Sequence, residues 1–334
     1  MTAATSTSTT TSTSTSTVLA PAKLNLGLRV LGRKPDGYHL LESLFVPLEL
    51  ADRLSLELGA IAPAASAPDL DIAFEMLGTP ELPASSSFPE VSENLAVRAA
   101  RAFFAAARLS GSLSIRLEKS IPIGAGLGGG SSDAGTILRM LHALHPEALN
   151  RRALSELAAE LGADVPFFLM PEPSLVSGIG AEISPLPGLP EQWLLLVNPG
   201  VSLATADVFE QFDRGSAALT LDRTRYTMRA LEGLSGDLRA AETLSKAFDS
   251  GLLENDLEAV ATSLCPAIGV LKERLRNLGA RWTGMSGSGA TVYGVFADEA
   301  LALSALERAD FEAPIWACVT RTLGEIESVA RRSV

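Results

Sequence analysis

The run PIGAGLGGGSS at residues 122–132 constrains this chain more than any other stretch, with five glycines and two serines in eleven residues. A packed core gains nothing from it, because glycine loses more backbone entropy on folding than any other residue and brings no side chain to bury. What such a run supplies is a bend with exposed backbone N–H groups, which cradle an anion best where a helix begins directly downstream. SSDAGTILRMLHALH follows and reads as that helix, with Ser131 or Ser132 as its N-cap. Upstream, Leu113, Ile115 and Leu117 alternate with polar residues and predict a strand. Strand, glycine loop and helix together make a phosphate-binding layout.

Other patterns overlap the loop. Gly124, Gly126 and Gly129 fit the dinucleotide fingerprint G-x-G-x-x-G. That fingerprint belongs to a buried, near-continuously apolar strand and asks for a second strand ending in an acid about 20 residues on. Here the preceding strand alternates, and residues 136–161 read as helical. A Walker A loop needs lysine directly before its Ser/Thr, and Gly130 stands there instead. A plain flexible linker is at odds with Ile121, Ile123 and Leu127, which interleave with the glycines.

The chain has 334 residues, 47% of them apolar, which suits one or two globular domains. No apolar run approaches the ~18 residues of a spanning helix, so a soluble protein without a membrane partner is expected. A net charge of −12 argues against non-specific binding to nucleic acid or to an anionic membrane surface. An anionic ligand must then be held by local donors such as the glycine loop. Cys265 and Cys318 have no metal or CxxC spacing and read as reduced thiols of a cytoplasmic protein. His39, His142 and His145 are too few for a histidine-rich metal site.

Residues 1–19 are mostly Ser and Thr and are expected to be a disordered tail. It lacks the apolar stretch of a secretory signal and the arginines of a transit peptide, leaving an organelle-targeting reading with little support. At residues 22–30, Ala22, Leu24, Leu26, Leu28 and Val30 alternate with Lys23, Asn25, Gly27 and Arg29. The period of two predicts a half-buried strand with Lys23 and Asn25 on a solvated outer face, unless a site lies there. Pro35, Asp36 and Gly37 then make a turn that delivers Tyr38 and His39 to a following extended segment. Residues 54–58 and 70–76 alternate and read as antiparallel strands joined by a loop at 59–69, with a second insertion at 78–91. Residues 92–109 read as a helix, and 151–161 as another stopped by Gly162.

Asp164 follows, two residues before Pro166, with Val165 expected extended by the proline. It either caps a short helix or is a carboxylate held rigidly in an apolar setting, as a catalytic base needs. Residues 175–187 suggest a hairpin around Gly178 and Gly180, 193–198 a buried strand, and 205–212 a helix N-capped by Thr205. Residues 216–278 look helical with breaks. A second glycine–serine loop, with Gly287, Ser288 and Gly289, precedes a last strand. Mixed helices and antiparallel-type strands make the class α+β.

Four stretches in this order, PAKLNL, PIGAGLGGGSS, ADVPFF and GSGA, resemble the GHMP kinase superfamily over most of the chain from residue 20 to about 296. Within it, PAKLNLGL followed by DGYH is similar to the branch whose small-molecule acceptor is a diphosphocytidyl-bearing methylerythritol of the non-mevalonate isoprenoid route. The tail and the two Pro/Ala/Ser-rich insertions fall outside the resemblance.

The resemblance implies a two-domain α+β fold, residues 20–168 and 169–334, with ATP in the interdomain cleft. Pro122, Ile123, Gly124, Ala125, Gly126, Leu127, Gly128, Gly129, Gly130, Ser131 and Ser132 would wrap the phosphates of ATP, with Asn94 and Lys119 near the adenine. Lys23 and Asp164 would be the catalytic pair. Asn25, Tyr38 and His39 would hold the acceptor, its cytosine stacked on Tyr38, with Phe209 as the opposite face and Thr205, Gly287 and Ser288 along its border. Mg2+ would bridge ATP oxygens, its protein ligand unassigned apart from a hydroxyl at Ser131 or Ser132. A monomer or weak homodimer is expected. The alternatives are another GHMP small-molecule kinase (mevalonate-, homoserine- or sugar-type) and a non-catalytic nucleotide-binding regulator.

Overall fold

The alternation around Lys23 folds as a strand longer than its sequence pattern. In the computed structural model, which describes residues 15–64, 66–78, 90–180, 182–186, 188–215, 228 and 238–324, strand β1 spans Thr15–Arg33. It pairs antiparallel with β2, His39–Pro63, from Thr15↔Glu57 to Arg33↔His39. The last residues of the Ser/Thr-rich segment therefore belong to a sheet, where β-branched threonines fit a pleated ladder. Residues 15–19 of the expected disordered tail are thus strand; the rest of it, residues 1–14, lies outside the described residues.

The solvated outer face expected of β1 is absent: Lys23 and Asn25 are 4% and 1% exposed. Both faces are covered. Ala22, Leu24 and Leu26 enter a core with Leu194, Leu196 and Tyr293, while the glycine loop lies over Lys23, whose N–H donates to the Leu127 carbonyl at 2.9 Å. Ala20 belongs to a second core and Leu28 and Val30 to a third. One strand thus threads three hydrophobic clusters and brings Lys23 and Asn25 to their junction.

Beyond β2 come β3, Leu70–Leu77, and β4, Leu109–Glu118. β2 and β3 are not direct partners: β4 lies between them, antiparallel to β2 and parallel to β3. Part of the expected loop is strand, with Ile61↔Gly111 and Pro63↔Leu109 paired. This order sets Leu113, Ile115 and Leu117 in the middle of the sheet against Phe103 and Phe104 of α1, Leu95–Ala107, and Ile137 and Leu138 of α2, Gly129–Leu144. Each such side chain removed from water contributes about 1.5–3 kcal/mol, which favours placing the β4 row on an interior strand. Residues 79–89 of the second insertion lie outside the described residues.

α3, Arg151–Leu161, ends at Gly162 as its sequence suggests. On the other edge of β2 stands the expected hairpin, β5 Ser174–Gly178 and β6 Glu182–Pro185, so the first sheet extends past position 168. The second sheet is antiparallel in the order β10-β7-β9-β8: Trp316–Arg321, Trp193–Asn198, Val292–Phe296 and Trp282–Met285. Helices α4 Thr205–Gly215, α5 Leu238–Asp249, α6 Glu258–Leu264, α7 Ala267–Asn277 and α8 Glu299–Ala309 complete the described helices. Within the helical stretch at 216–278, residues 216–227 and 229–237 lie outside the described residues. Among the described residues, no helix is long and apolar enough to cross a membrane.

Candidate active site

The glycine loop enters α2 earlier than the serines suggest. Gly128, at φ 69°, is the N-cap, and no side chain caps the helix. Ser131 and Ser132 are not the cap, because the left-handed turn at Gly128 has already started the helix; Ser132 is fully buried and its Oγ has no partner. An uncapped N-terminus leaves backbone N–H groups and the positive end of the helix dipole available to an anion. Gly128 also has no room for a side chain: a Cβ there would stand 2.8 Å from Lys23 Cγ and 3.1 Å from Phe168 Cζ.

Two cavities flank this loop, of about 400 and 650 Å³, and Gly126 and Gly128 line both. The smaller is bordered by Pro122, Ile123, Gly124, Ala125, Gly129, Gly130 and Ser131, together with Asn94 and Lys119. Leu127 instead turns into the core between the sheets. The larger holds Lys23, Asn25, Tyr38, His39, Asp164, Thr205, Phe209, Gly287 and Ser288. The chain therefore gathers the residues of each expected group around its own cavity, apart from Leu127 and Ser132, with a wall of glycine backbone shared between the two.

In the larger cavity, Lys23 Nζ lies 3.4 Å from Asp164 Oδ2, donates to Asn25 Oδ1, and stands 4.7 Å from the centre of the Phe45 ring. The lysine side chain is 5% exposed and that of Asp164 33%, so the carboxylate has the open side. Asn25 Nδ2 donates to Ser43 Oγ at 2.7 Å, and Ser43 donates to the Gly27 carbonyl at 2.6 Å. Asp164 sits in the turn between α3 and a short 3-10 turn, Pro166–Leu169. Val165 is helical at φ −62° and ψ −39°, not extended: its buried side chain packs with Leu154 and Ala158, and its N–H reaches the Gly162 carbonyl at 3.1 Å. Core packing here overrides the usual preference of a residue before proline.

At the rim of this cavity Tyr38 is 65% exposed. Phe209 lines the same cavity and stacks on His39, with ring centres 4.6 Å apart and planes at 23°. His39 Nε2 is 2.7 Å from Asp213 Oδ1, and Arg33 pairs with the same carboxylate at 3.1 Å. Thr205 is the first residue of α4, and its hydroxyl is 2.9 Å from Ser288 Oγ. The second glycine–serine loop also braces the first, since Ser286 Oγ accepts the Asn25 N–H at 3.2 Å and donates to the Gly126 carbonyl at 2.9 Å.

Beside the smaller cavity, Asn94 caps α1 by accepting the Ala96 N–H at 2.9 Å. Lys119 is committed elsewhere: its ammonium is bound by Asp52 and by Asp133, the latter at 3.0 Å, and all three side chains are at most 5% exposed. Burial alone would lower the lysine's pKa, but the two carboxylates hold it above its ordinary value. Burial pushes the Asp133 carboxyl well above the usual range, against the pull of Lys119. Sequence reading missed Asp52, Asp133, Ser286 and Asp213; nothing in their spacing marks them, because their partners lie on other elements, 14 to 261 residues away. Among the described residues, no group of three His, Cys, Asp or Glu side chains could hold a metal ion. Cys265 and Cys318 are both free.

Comparison with known proteins assigns this arrangement to a family. GHMP kinases N terminal domain matches residues 94–172, and GHMP kinases C terminal matches residues 229–314. A protein of Syntrophotalea carbinolica named 4-diphosphocytidyl-2-C-methyl-D-erythritol kinase is 40% identical over 86% of this chain and 92% of its own length. A crystal structure of 4-(cytidine 5'-diphospho)-2C-methyl-D-erythritol kinase superposes with a TM-score of 0.68 at 35% identity, covering 92% of this chain and 100% of the other. Homoserine kinase from Cytophaga hutchinsonii shares the fold, with a TM-score of 0.65 at 17% identity over 92% of this chain and 94% of its own. The motifs, the paired cavities and these relatives converge, and the chain belongs to the GHMP kinase family of phosphotransferases.

Proposed function

We propose that the protein transfers the γ-phosphoryl group of ATP to the 2-hydroxyl of 4-diphosphocytidyl-2-C-methyl-D-erythritol. One observation carries the reading: the glycine loop is the common wall of two cavities, and the Lys23–Asp164 pair stands on the far side of it from Asn94 and Lys119. A phosphoryl donor laid along the loop in the smaller cavity would present its terminal phosphate to an acceptor in the larger one. Relatives that carry this acceptor in their names are 34–40% identical to the chain over most of its length.

The geometry supports a role for each group. Backbone N–H groups of residues 124–130 and the uncapped start of α2 hold the donor phosphates. Asp164 takes the proton of the acceptor hydroxyl as the new O–P bond forms and the bond to the bridging oxygen of ADP breaks. Lys23, clamped between Asn25 and Phe45, orients that carboxylate and offsets charge on the moving phosphoryl group. Phosphoryl transfer passes through a loose transition state, so alignment and charge stabilisation weigh more than base strength. Magnesium, when bound to ATP, would neutralise phosphate charge, and Ser131, at the cavity wall, would offer it a hydroxyl. The exposed Tyr38 ring suits a flat base, which aliphatic acceptors such as mevalonate or homoserine lack.

The test is ADP release with the diphosphocytidyl acceptor, mevalonate, homoserine and galactose offered separately. Turnover restricted to the first is expected. Faster turnover of any other would replace this acceptor assignment.

A further inference from the structure

The phosphate loop is held at both ends by one buried group of ionisable side chains. Asp52, in the middle of β2, has no exposed surface. Its Oδ1 accepts the N–H groups of Ser120 at 2.6 Å and Ile121 at 2.9 Å, the two residues directly ahead of Pro122. Its Oδ2 accepts from Lys119, at the exit of β4. The same ammonium reaches forward to Asp133 Oδ2 at 3.0 Å, in the first turns of α2, beyond the loop. The beginning and the end of the glycine run are thus joined through one nitrogen.

The surroundings fit this linkage. Gly129 lies against it, and a Cβ there would stand 3.2 Å from Lys119 Nζ and 3.0 Å from Ile121 Cγ2. The loop's glycines have no side chains to add a cross-link of their own; its backbone is otherwise held at the Leu127 carbonyl by the Lys23 N–H and at the Gly126 carbonyl by Ser286 Oγ. Left to glycine alone, such a loop would sample many conformations and align its N–H groups only part of the time. A donor array acts on charge most strongly when its geometry is set beforehand.

We propose that Asp52, Lys119 and Asp133 form a buried clamp that fixes the span of the phosphate loop, which makes them positioning residues for nucleotide binding. The inference rests on the kinase reading above, and it gives Lys119 a role different from contact with the adenine. It predicts that severing the forward link weakens nucleotide binding without emptying the acceptor cavity.

Asp133→Ala severs that link while leaving Lys119 balanced by Asp52, so no charge is stranded. ADP affinity is read by titration calorimetry on the full chain, alongside the KM of each substrate and the melting temperature. The clamp predicts ADP binding weaker by roughly 10- to 100-fold, the scale of losing one charge-assisted hydrogen bond to phosphate. It predicts an unchanged acceptor KM and recovery of affinity in Asp133→Asn, whose amide oxygen still accepts from the ammonium. A variant that binds ADP like the parent chain overturns the clamp. If Asp133→Ala has no cooperative melt, Lys119→Arg decides, because it keeps the charge and changes the length of the link: weakened ADP binding supports the clamp and parental binding overturns it. A parent chain that binds no ADP would instead remove the kinase reading on which the clamp depends.

Discussion

Gly126 offers a direct measure of how tightly the two glycine loops are packed. Its φ is 77°, and a Cβ there would lie 2.8 Å from the Ser286 carbonyl oxygen and 3.0 Å from that of Gly289. Gly126→Ala therefore combines two penalties. The left-handed backbone costs an L-residue about 1–2 kcal/mol. Overpacking against backbone that cannot rotate aside costs about 1–3 kcal/mol more. Gly279→Ala separates them, because Gly279 has φ 101° and no atom within 4 Å of its Cβ position. Both substitutions also remove about the same unfolded-state entropy, which cancels in the comparison. Urea unfolding of the two variants should then differ by about 1–3 kcal/mol, with Gly126→Ala the less stable. Its melting temperature should be lower by about 2–4 °C for each kcal/mol. ADP affinity should fall in Gly126→Ala alone, since Gly126 lines both cavities. Equal stability of the two variants would refute the close contact between loops that the site depends on.

Asp164→Asn should lower kcat by about 10²–10⁴-fold while ADP binding stays at the parental level; a near-normal rate in steady-state kinetics would reject the carboxylate as base. Tyr38→Ala should raise the KM for the diphosphocytidyl acceptor by about 10- to 100-fold, matching a stacking contribution of about 1–3 kcal/mol, with no change in melting temperature because the ring is exposed; an unchanged KM would remove the stacking role. Burial raises the Asp133 pKa, so the folded chain keeps a proton that the unfolded chain has released, and stability falls as pH rises from the ordinary carboxylate range through the raised value. Asp133→Asn lacks that decline and should gain on the parent between about pH 5 and about pH 8 in urea unfolding; stability curves that run parallel would contradict the shift.

The phosphate-binding layout was legible because each of its parts has a local cause. Alternation at Leu113, Ile115 and Leu117 marks β4, glycine alone tolerates the turns at Gly126 and Gly128, and α2 follows at once. The hairpin at Gly178 and Gly180 was readable for the same reason. What lay beyond reach was set by distant packing. A period of two says that Lys23 and Asn25 share a face, but not that a loop more than a hundred residues later covers it. Asp52 lies just ahead of the alternating run at 54–58 with nothing to single it out, and its partner Lys119 is 67 residues away. The insertion of β4 between β2 and β3 depends on which row of leucines the helices cover, and the helical Val165 depends on the core around it. Phe209 was identifiable as an aromatic near the site, whereas its stack on His39 depends on α4 folding across the cavity rim.

The most direct measurement follows the phosphorus. The chain is incubated with ATP, magnesium and 4-diphosphocytidyl-2-C-methyl-D-erythritol, and the product is read by phosphorus NMR. A new monoester resonance on the 2-position of the erythritol, with ADP formed in equal amount, is the predicted result. ATP left intact, or phosphate arriving on a different hydroxyl or only on water, would contradict an active site built around Lys23 and Asp164.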